Sequence, residues 1–241
     1  MSPELYQILG RWPESLRSLV SPCTRWRFML VSYRAMAPLI KIDLNSIVSC
    51  GHPVVLDLGC GRHKRPGAIG IDRVDLPGVD IVADIEEGLG FLPDACADEV
   101  YAFSCLEHMQ NFEHLVAEIV RVLKKDGRAV VQVPHFSNPY YYSDPTHKRF
   151  FGLYSFYYFV EMKDQPKRKV PDYYFPVRIK VVSQKLLFAS PFLVGKVFKR
   201  LLQVVFNLGT VVQEFYEENF CYLFPCSTIE VVFTRADRGA D

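Results

Sequence analysis

Val54-Val55-Leu56-Asp57-Leu58-Gly59-Cys60-Gly61 is the stretch whose reading decides the fold of this chain. The apolar run from Val54 to Leu58 reads as a buried parallel strand. Gly59 and Gly61 end it, and glycine lets the backbone turn sharply and approach a ligand closely. Asp57 sets a carboxylate near the strand tip, on the side where open α/β sheets bind ligands. Taken alone, the octet also suits a tight turn after a core strand, so the surrounding sequence must decide.

Outward from the octet, the apolar runs keep the length of strands: 54–58, 68–71, 81–82, 99–103 and 129–133. Between the last two, Phe112, Leu115, Val116, Ile119 and Leu123 share one face of a helix. Asn111 is its expected N-cap, Lys124 and Lys125 suit its C-terminus, and Asp126-Gly127 is its expected stop. Strands alternating with helices or loops imply a parallel sheet with right-handed crossovers. Only residues 59–67 separate the first two strands, and they include Pro66-Gly67. A crossover usually takes a dozen or more residues. A loop or about one helical turn is therefore expected there in place of a full helix.

Two further strands are expected at 178–187 and 228–234. Between them, residues 191–206 are strongly apolar, with Lys196, Lys199, Arg200 and Gln203 as a narrow polar stripe. Packing against the core is the default for such a helix. The alternative is a helix lying on an anionic membrane surface. Near the start, Leu5, Ile8, Leu9 and Trp12 recur at helical spacing, and a second segment runs from Arg25-Trp26-Arg27 toward Ala37.

The chain has 241 residues, 49% of them apolar, enough for one large α/β domain with additions. A net charge of +1 gives no general signal for nucleic acid, and no nucleic-acid partner is expected. The seven cysteines include no Cys-x-x-Cys pair, which argues against a disulfide framework or a zinc knuckle. With no secretory signal, a reducing cytoplasm is the simplest setting. No apolar run reaches the ~20 residues of a membrane-spanning helix.

The order of four motifs resembles the class I S-adenosylmethionine-dependent methyltransferases, in particular the group related to the type 11 methyltransferase domain. The motifs are the glycine turn, Gly70-Ile71-Asp72, Ala83-Asp84-Ile85 and Ser104-Cys105-Leu106-Glu107-His108. The resemblance covers residues 54–134, and 135–160 match a narrower subset. It implies a Rossmann-like seven-stranded sheet with helices on both faces, and S-adenosylmethionine as cofactor. On this reading Gly59 and Gly61, with Cys60 between them, face the methionine part of the cofactor. Asp57 orients the turn or meets the ammonium group. Asp72, followed by Arg73, accepts both ribose hydroxyls. Asp84 accepts from the adenine amino group while the Ile85 N–H donates to the ring. Cys105 and Leu106 lie under the sulfonium, and His108 closes the pocket or serves its helix. Lys64 or Arg65 pairs with the cofactor carboxylate, the alternative being a solvated basic loop. Singly, Asp72 and Asp84 are ordinary loop aspartates; together they favour cofactor binding. A nicotinamide dinucleotide would need a third glycine where Lys64 stands.

After the fifth strand come His135 and then Asp144-Pro145-Thr146-His147-Lys148-Arg149-Phe150-Phe151. Strand C-termini carry the site in this architecture, which places His135 near the transferred methyl group. An oxygen acceptor must lose its proton; His135 or His147 suits that task, with Asp144 to orient one of them. The alternatives are packing for His147 and a turn cap for Asp144. His135, Asp144 and His147 are also metal-ligand types, but their spacing matches no standard site, so no metal is assigned.

The resulting domain plan is a helical N-terminal extension over 1–50 and a methyltransferase domain over 51–241. Within the latter, 135–176 is an aromatic-rich acceptor-binding insertion and 188–224 a helical insertion before the last strand. The expected acceptor is a small molecule, a glycan or a lipid-linked intermediate, methylated on oxygen or nitrogen. A non-catalytic module that binds the cofactor is the rival, and a nicotinamide oxidoreductase a distant third. Peripheral membrane contact would run through 191–206.

Overall fold

The computed structural model describes residues 37–236. The helical pattern at Leu5–Trp12 and the segment begun by Arg25 lie outside the described residues. The described chain opens with β1 (Leu39–Ile40) and the short helix α1 (Leu44–Ser49), N-capped by the Asp43 carboxylate on the Ser46 N–H. Then follow β2 (Val55–Leu58), β3 (Ile69–Asp72), β4 (Ile81–Val82), β5 (Ala97–Phe103), α2 (Phe112–Val122) and β6 (Leu123–Pro134). The chain ends with β7 (Ile179–Leu187), α3 (Leu193–Phe206), α4 (Thr210–Asn219) and β8 (Thr228–Arg235).

All eight strands form one sheet in the order β1-β4-β3-β2-β5-β6-β8-β7. The five central strands run parallel, and β1, β8 and β7 each pair antiparallel with their neighbours. The expected seven strands are there, and the eighth is β1, from a stretch read as helical. Of the parallel crossovers, only that from β5 to β6 carries an α-helix. The segment between β2 and β3 holds turns and no helix, as its length demands.

The core follows the sequence pattern. Leu56, Leu58, Ile71, Ile81, Val100, Ala102, Val131 and Val133 are fully buried along the sheet. Phe112, Leu115, Val116, Ile119 and Val122 form the buried face of α2. That helix ends differently from expectation. Leu123 leaves it directly for β6 and pairs with Ala97, so Lys124 to Gly127 belong to an irregular stretch of strand. Asn111 precedes α2 without a side-chain capping bond. The Gln110 N–H is taken instead by the Glu86 carboxylate.

The insertion after β6 joins the main core. Phe151, Phe156 and Phe159 surround Phe112 edge-on, at ring-centroid distances of 5.1, 5.4 and 5.5 Å. On the far side, β7 bears a register irregularity between Val181 and Ser183. The default for α3, packing against the core, holds on one side of the helix only. Only Leu202 and Phe206 are buried, while Leu193, Val194, Val197, Leu201 and Val204 stand in solvent. The helix is apolar on both its inward and outward faces, with the polar stripe between them. No helix among the described residues is long and apolar enough to cross a membrane.

Candidate active site

In the central sheet, the crossovers leaving β2 and β5 diverge to opposite sides, since β3 lies on one flank and β6 on the other. A crevice opens at such a switch point, beyond the carboxyl ends of the strands. The glycine turn occupies one wall. Gly59 and Gly61 have φ of +67° and +51°, the left-handed region that favours glycine. A Cβ on Gly59 would lie 2.7 Å from the Cys105 Sγ on the opposite wall. Ser104, at the tip of β5, also sits at positive φ (+49°). Strained non-glycine backbone of this kind gathers at functional sites.

The cleft encloses about 180 Å³. Gly59, Asp72, Arg73, Asp84, Ile85, Cys105 and His108 line it, as the motifs imply. Glu86, Ser104, Met109 and Thr146 line it too, with Ala83. The Asp72 carboxylate accepts from the Gly61 N–H (2.9 Å) and the Val74 N–H (2.9 Å), so it ties the glycine turn to the end of β3. Asp84 Oδ1 caps a short 3-10 turn through the Glu86 N–H (3.0 Å).

Other expected contacts are placed elsewhere. Asp57 is buried and accepts from the Arg65 N–H at 2.7 Å, which makes it an organiser of the loop. Burial raises its pKa, against the pull of Arg65 and Lys64. Lys64 reaches Asp80 at 2.8 Å and does not line the cleft. The Arg65 guanidinium lies 3.6 Å over the Tyr101 ring. Cys60 packs with Val79 and Val82, and Leu106 is fully buried.

The motif from Asp144 to Arg149 folds back over the turn after β5. The Glu107 carbonyl accepts from the N–H groups of Lys148 (2.8 Å) and Arg149 (3.2 Å). Arg149 also donates to the Met109 and Gln110 carbonyls, and Lys148 pairs with Glu86 at 3.3 Å. These bonds bring His147 beside His108, with ring centroids 4.9 Å apart and the ring planes tilted by 55°. Asp144 Oδ2 is 3.6 Å from His147 Nε2. The Thr146 hydroxyl donates to Asp144 Oδ1 (2.6 Å) and lies 2.9 Å from His108 Nδ1.

His135 is not part of this group. It is wholly buried, with Nδ1 bound to Ser137 at 2.7 Å and Nε2 3.2 Å from the Glu217 carboxylate. Glu217 also accepts from the Leu153 N–H at 2.6 Å. A cavity of about 730 Å³ lies beside this network, between Phe136, Tyr154, Arg168, Glu214, Phe215 and Tyr222. It shares no lining residue with the cleft. Sequence reasoning passed over Glu107, Thr146 and Glu217. Glu107 carried a faint signal, as a carboxylate directly before His108 at a strand tip.

A family model described as Methyltransferase domain matches residues 65–131. No curated protein sequence matches the chain. Among solved structures, an S-adenosylmethionine-dependent methyltransferase from Archaeoglobus fulgidus is similar at 20% identity, over 77% of this chain and 87% of that one, with a TM-score of 0.47. A possible histamine N-methyltransferase from Thermotoga maritima is 15% identical, over 78% and 86%, with a TM-score of 0.44. The 1,6-didemethyltoxoflavin-N1-methyltransferase of Burkholderia thailandensis is 15% identical, over 80% and 75%, with a TM-score of 0.45. The strand order and the glycine turn give the described domain a Rossmann-like α/β fold, and its residues 65–131 are similar to the methyltransferase-domain family.

Proposed function

We propose that the protein binds S-adenosylmethionine in the cleft between Gly59 and Cys105 and transfers its methyl group to a small-molecule, glycan or lipid-linked acceptor, on oxygen or nitrogen. The observation that carries this reading is one cleft lined by Gly59, Asp72, Asp84, Ile85 and Cys105, from four successive strand ends. The residues fit the group. Asp72 and Asp84, both lining the cleft, offer acceptor oxygens to hydroxyl and amino donors, and the turn leaves no Cβ in the way. The enclosed volume is below the usual 300–1,000 Å³ of a ligand site, so a ligand of this length would extend over the helix-free loop at 59–68. When bound, S-adenosylmethionine supplies a methyl carbon activated by the adjoining sulfonium. The protein's part is to align the acceptor with that carbon and keep water away. His108 lines the cleft, with His147 beside it and Asp144 3.6 Å from His147, and this group is our candidate to handle an acceptor proton.

Calorimetric titration with S-adenosylmethionine, its demethylated product and NADH tests the cofactor reading. Wild type should bind the first two at micromolar strength and Asp72→Ala should lose at least about tenfold, or 1.4 kcal/mol. Binding of NADH alone would sink the reading.

The outward face of α3 favours a membrane-peripheral site of action. Its apolar residues point away from the core, Lys196 and Arg200 flank them, and the helix has no acidic residue. That combination suits an anionic lipid surface. Co-sedimentation with phosphatidylserine vesicles is the test. Equal recovery with and without vesicles would end this part of the reading.

A further inference from the structure

We propose that Glu107, His108 and His147 bind a divalent first-row transition ion of the Zn²⁺ and Co²⁺ class, at the acceptor side of the cleft. One ligand atom from each residue lies within 4.8 Å of the others. Two imidazoles and one carboxylate are a donor set that zinc and its neighbours favour.

The hydrogen bonds around the two histidines point the same way. His147 Nδ1 is 2.9 Å from the Tyr141 carbonyl. A carbonyl only accepts, so Nδ1 carries the proton and a neutral ring has its lone pair on Nε2. His108 Nδ1 lies 3.3 Å from the Thr146 carbonyl and 2.9 Å from its hydroxyl. The hydroxyl proton is committed to Asp144 Oδ1 at 2.6 Å, so here also Nδ1 donates and Nε2 is free. A histidine held at one nitrogen by a carbonyl or a carboxylate-linked hydroxyl is the arrangement that orients metal ligands.

The independent observation is Glu107. Its side chain is 2% exposed, and its Oε2 is buried with no hydrogen-bond partner. A buried carboxylate oxygen left alone is costly. A cation between Glu107 and the imidazoles supplies the missing partner. Asp144, 3.6 Å from His147 Nε2, adds a second negative charge at the exposed side. The backbone bonds from Lys148 and Arg149 to the Glu107 carbonyl hold the two halves of the site together.

Three protein ligands leave at least one coordination position open. Since His108 also lines the cleft, that position suits an acceptor hydroxyl. The ion lowers the pKa of a bound hydroxyl, so its O–H bond breaks and the proton leaves to water past Asp144. The role assigned to the ion rests on the methyl-transfer reading; binding of the ion does not.

The test is titration of the chelator-treated full chain with Co²⁺, read by visible d–d absorption, alongside calorimetry with S-adenosylhomocysteine. One saturable cobalt site is expected. Glu107→Gln and His147→Ala should weaken it by at least about tenfold, the loss that even an outer partner causes. Thr146→Val, which keeps all three ligands, should weaken it by about 10–100-fold. His52→Ala, on the exposed surface, should leave it unchanged. No saturable absorption, or an equal loss in His52→Ala, overturns the site. Cobalt binding without S-adenosylhomocysteine binding upholds the site and removes the methyl-transfer reading. The reverse result removes the site alone.

Discussion

Gly59 and Cys105 face each other across the cleft so closely that a Cβ on the glycine would meet the sulfur at 2.7 Å. Gly59→Ala would carry both that contact and a positive φ, which costs roughly 1–2 kcal/mol for an L-residue. A stability loss of roughly 1–3 kcal/mol is expected in urea unfolding. Affinity for S-adenosylhomocysteine should fall at least about tenfold, because the turn can no longer approach the ligand. Unchanged calorimetric affinity would separate the turn from the binding site.

His135, fully buried, pairs with the partly exposed Glu217, and their remaining bonds go to Ser137 and Leu153. The expected outcome is structural. Glu217→Ala leaves the Leu153 N–H and His135 Nε2 short of a partner, at about 1–3 kcal/mol for each buried group. Urea midpoints should drop while affinity for S-adenosylhomocysteine stays within about twofold. A folded variant that loses methyl transfer with full stability would return His135 to the chemistry.

Asp57 sets a dependence of stability on pH. Its folded pKa lies above the unfolded value because the carboxyl is buried. The native state therefore holds this proton to higher pH than the unfolded chain does. The contribution is fully present below the ordinary carboxylate range and is lost as pH rises through the raised folded pKa. Asp57→Asn, measured against wild type by urea unfolding across that range, should abolish this component. Parallel curves for the two proteins would refute it.

The two sides of α3 should answer differently to substitution. Leu202→Ala opens the core beneath the helix, and a loss of about 2–5 kcal/mol is expected. Val197→Ser with Leu201→Ser, on the outer side, should change stability by no more than about 0.5 kcal/mol. The same double variant should release the protein from phosphatidylserine vesicles. If it binds vesicles as wild type does, the outer face is not what meets lipid.

The central fold was legible because its signals are local. Val55 to Leu58 needed only apolarity and a glycine stop, and the α2 face only helical spacing. The absence of a helix after β2 followed from chain length. The pairing of Lys64 with Asp80 was not legible, because Asp80 is 16 residues away and no local pattern announces that pair. His135 looked catalytic from its place after β6, but its surroundings come from Glu217, 82 residues on. The end of α2 was misjudged because pairing of Leu123 with Ala97 outcompetes a glycine stop that would otherwise serve. The exposure of α3 could not be read from composition, since an apolar face looks the same whether a core or water lies beyond it.

One edge of the sheet is β7, nine residues long, with a row of backbone groups that no other strand covers among the described residues. Such an edge is a template for adding a second chain and seeding aggregates. The irregularity between Val181 and Ser183 breaks the flatness that such growth needs, and Lys180 and Lys185 make a like-charged approach unfavourable. The kink in β7 thus guards solubility, and a straightened strand with both lysines neutralised would be prone to fibrous assembly.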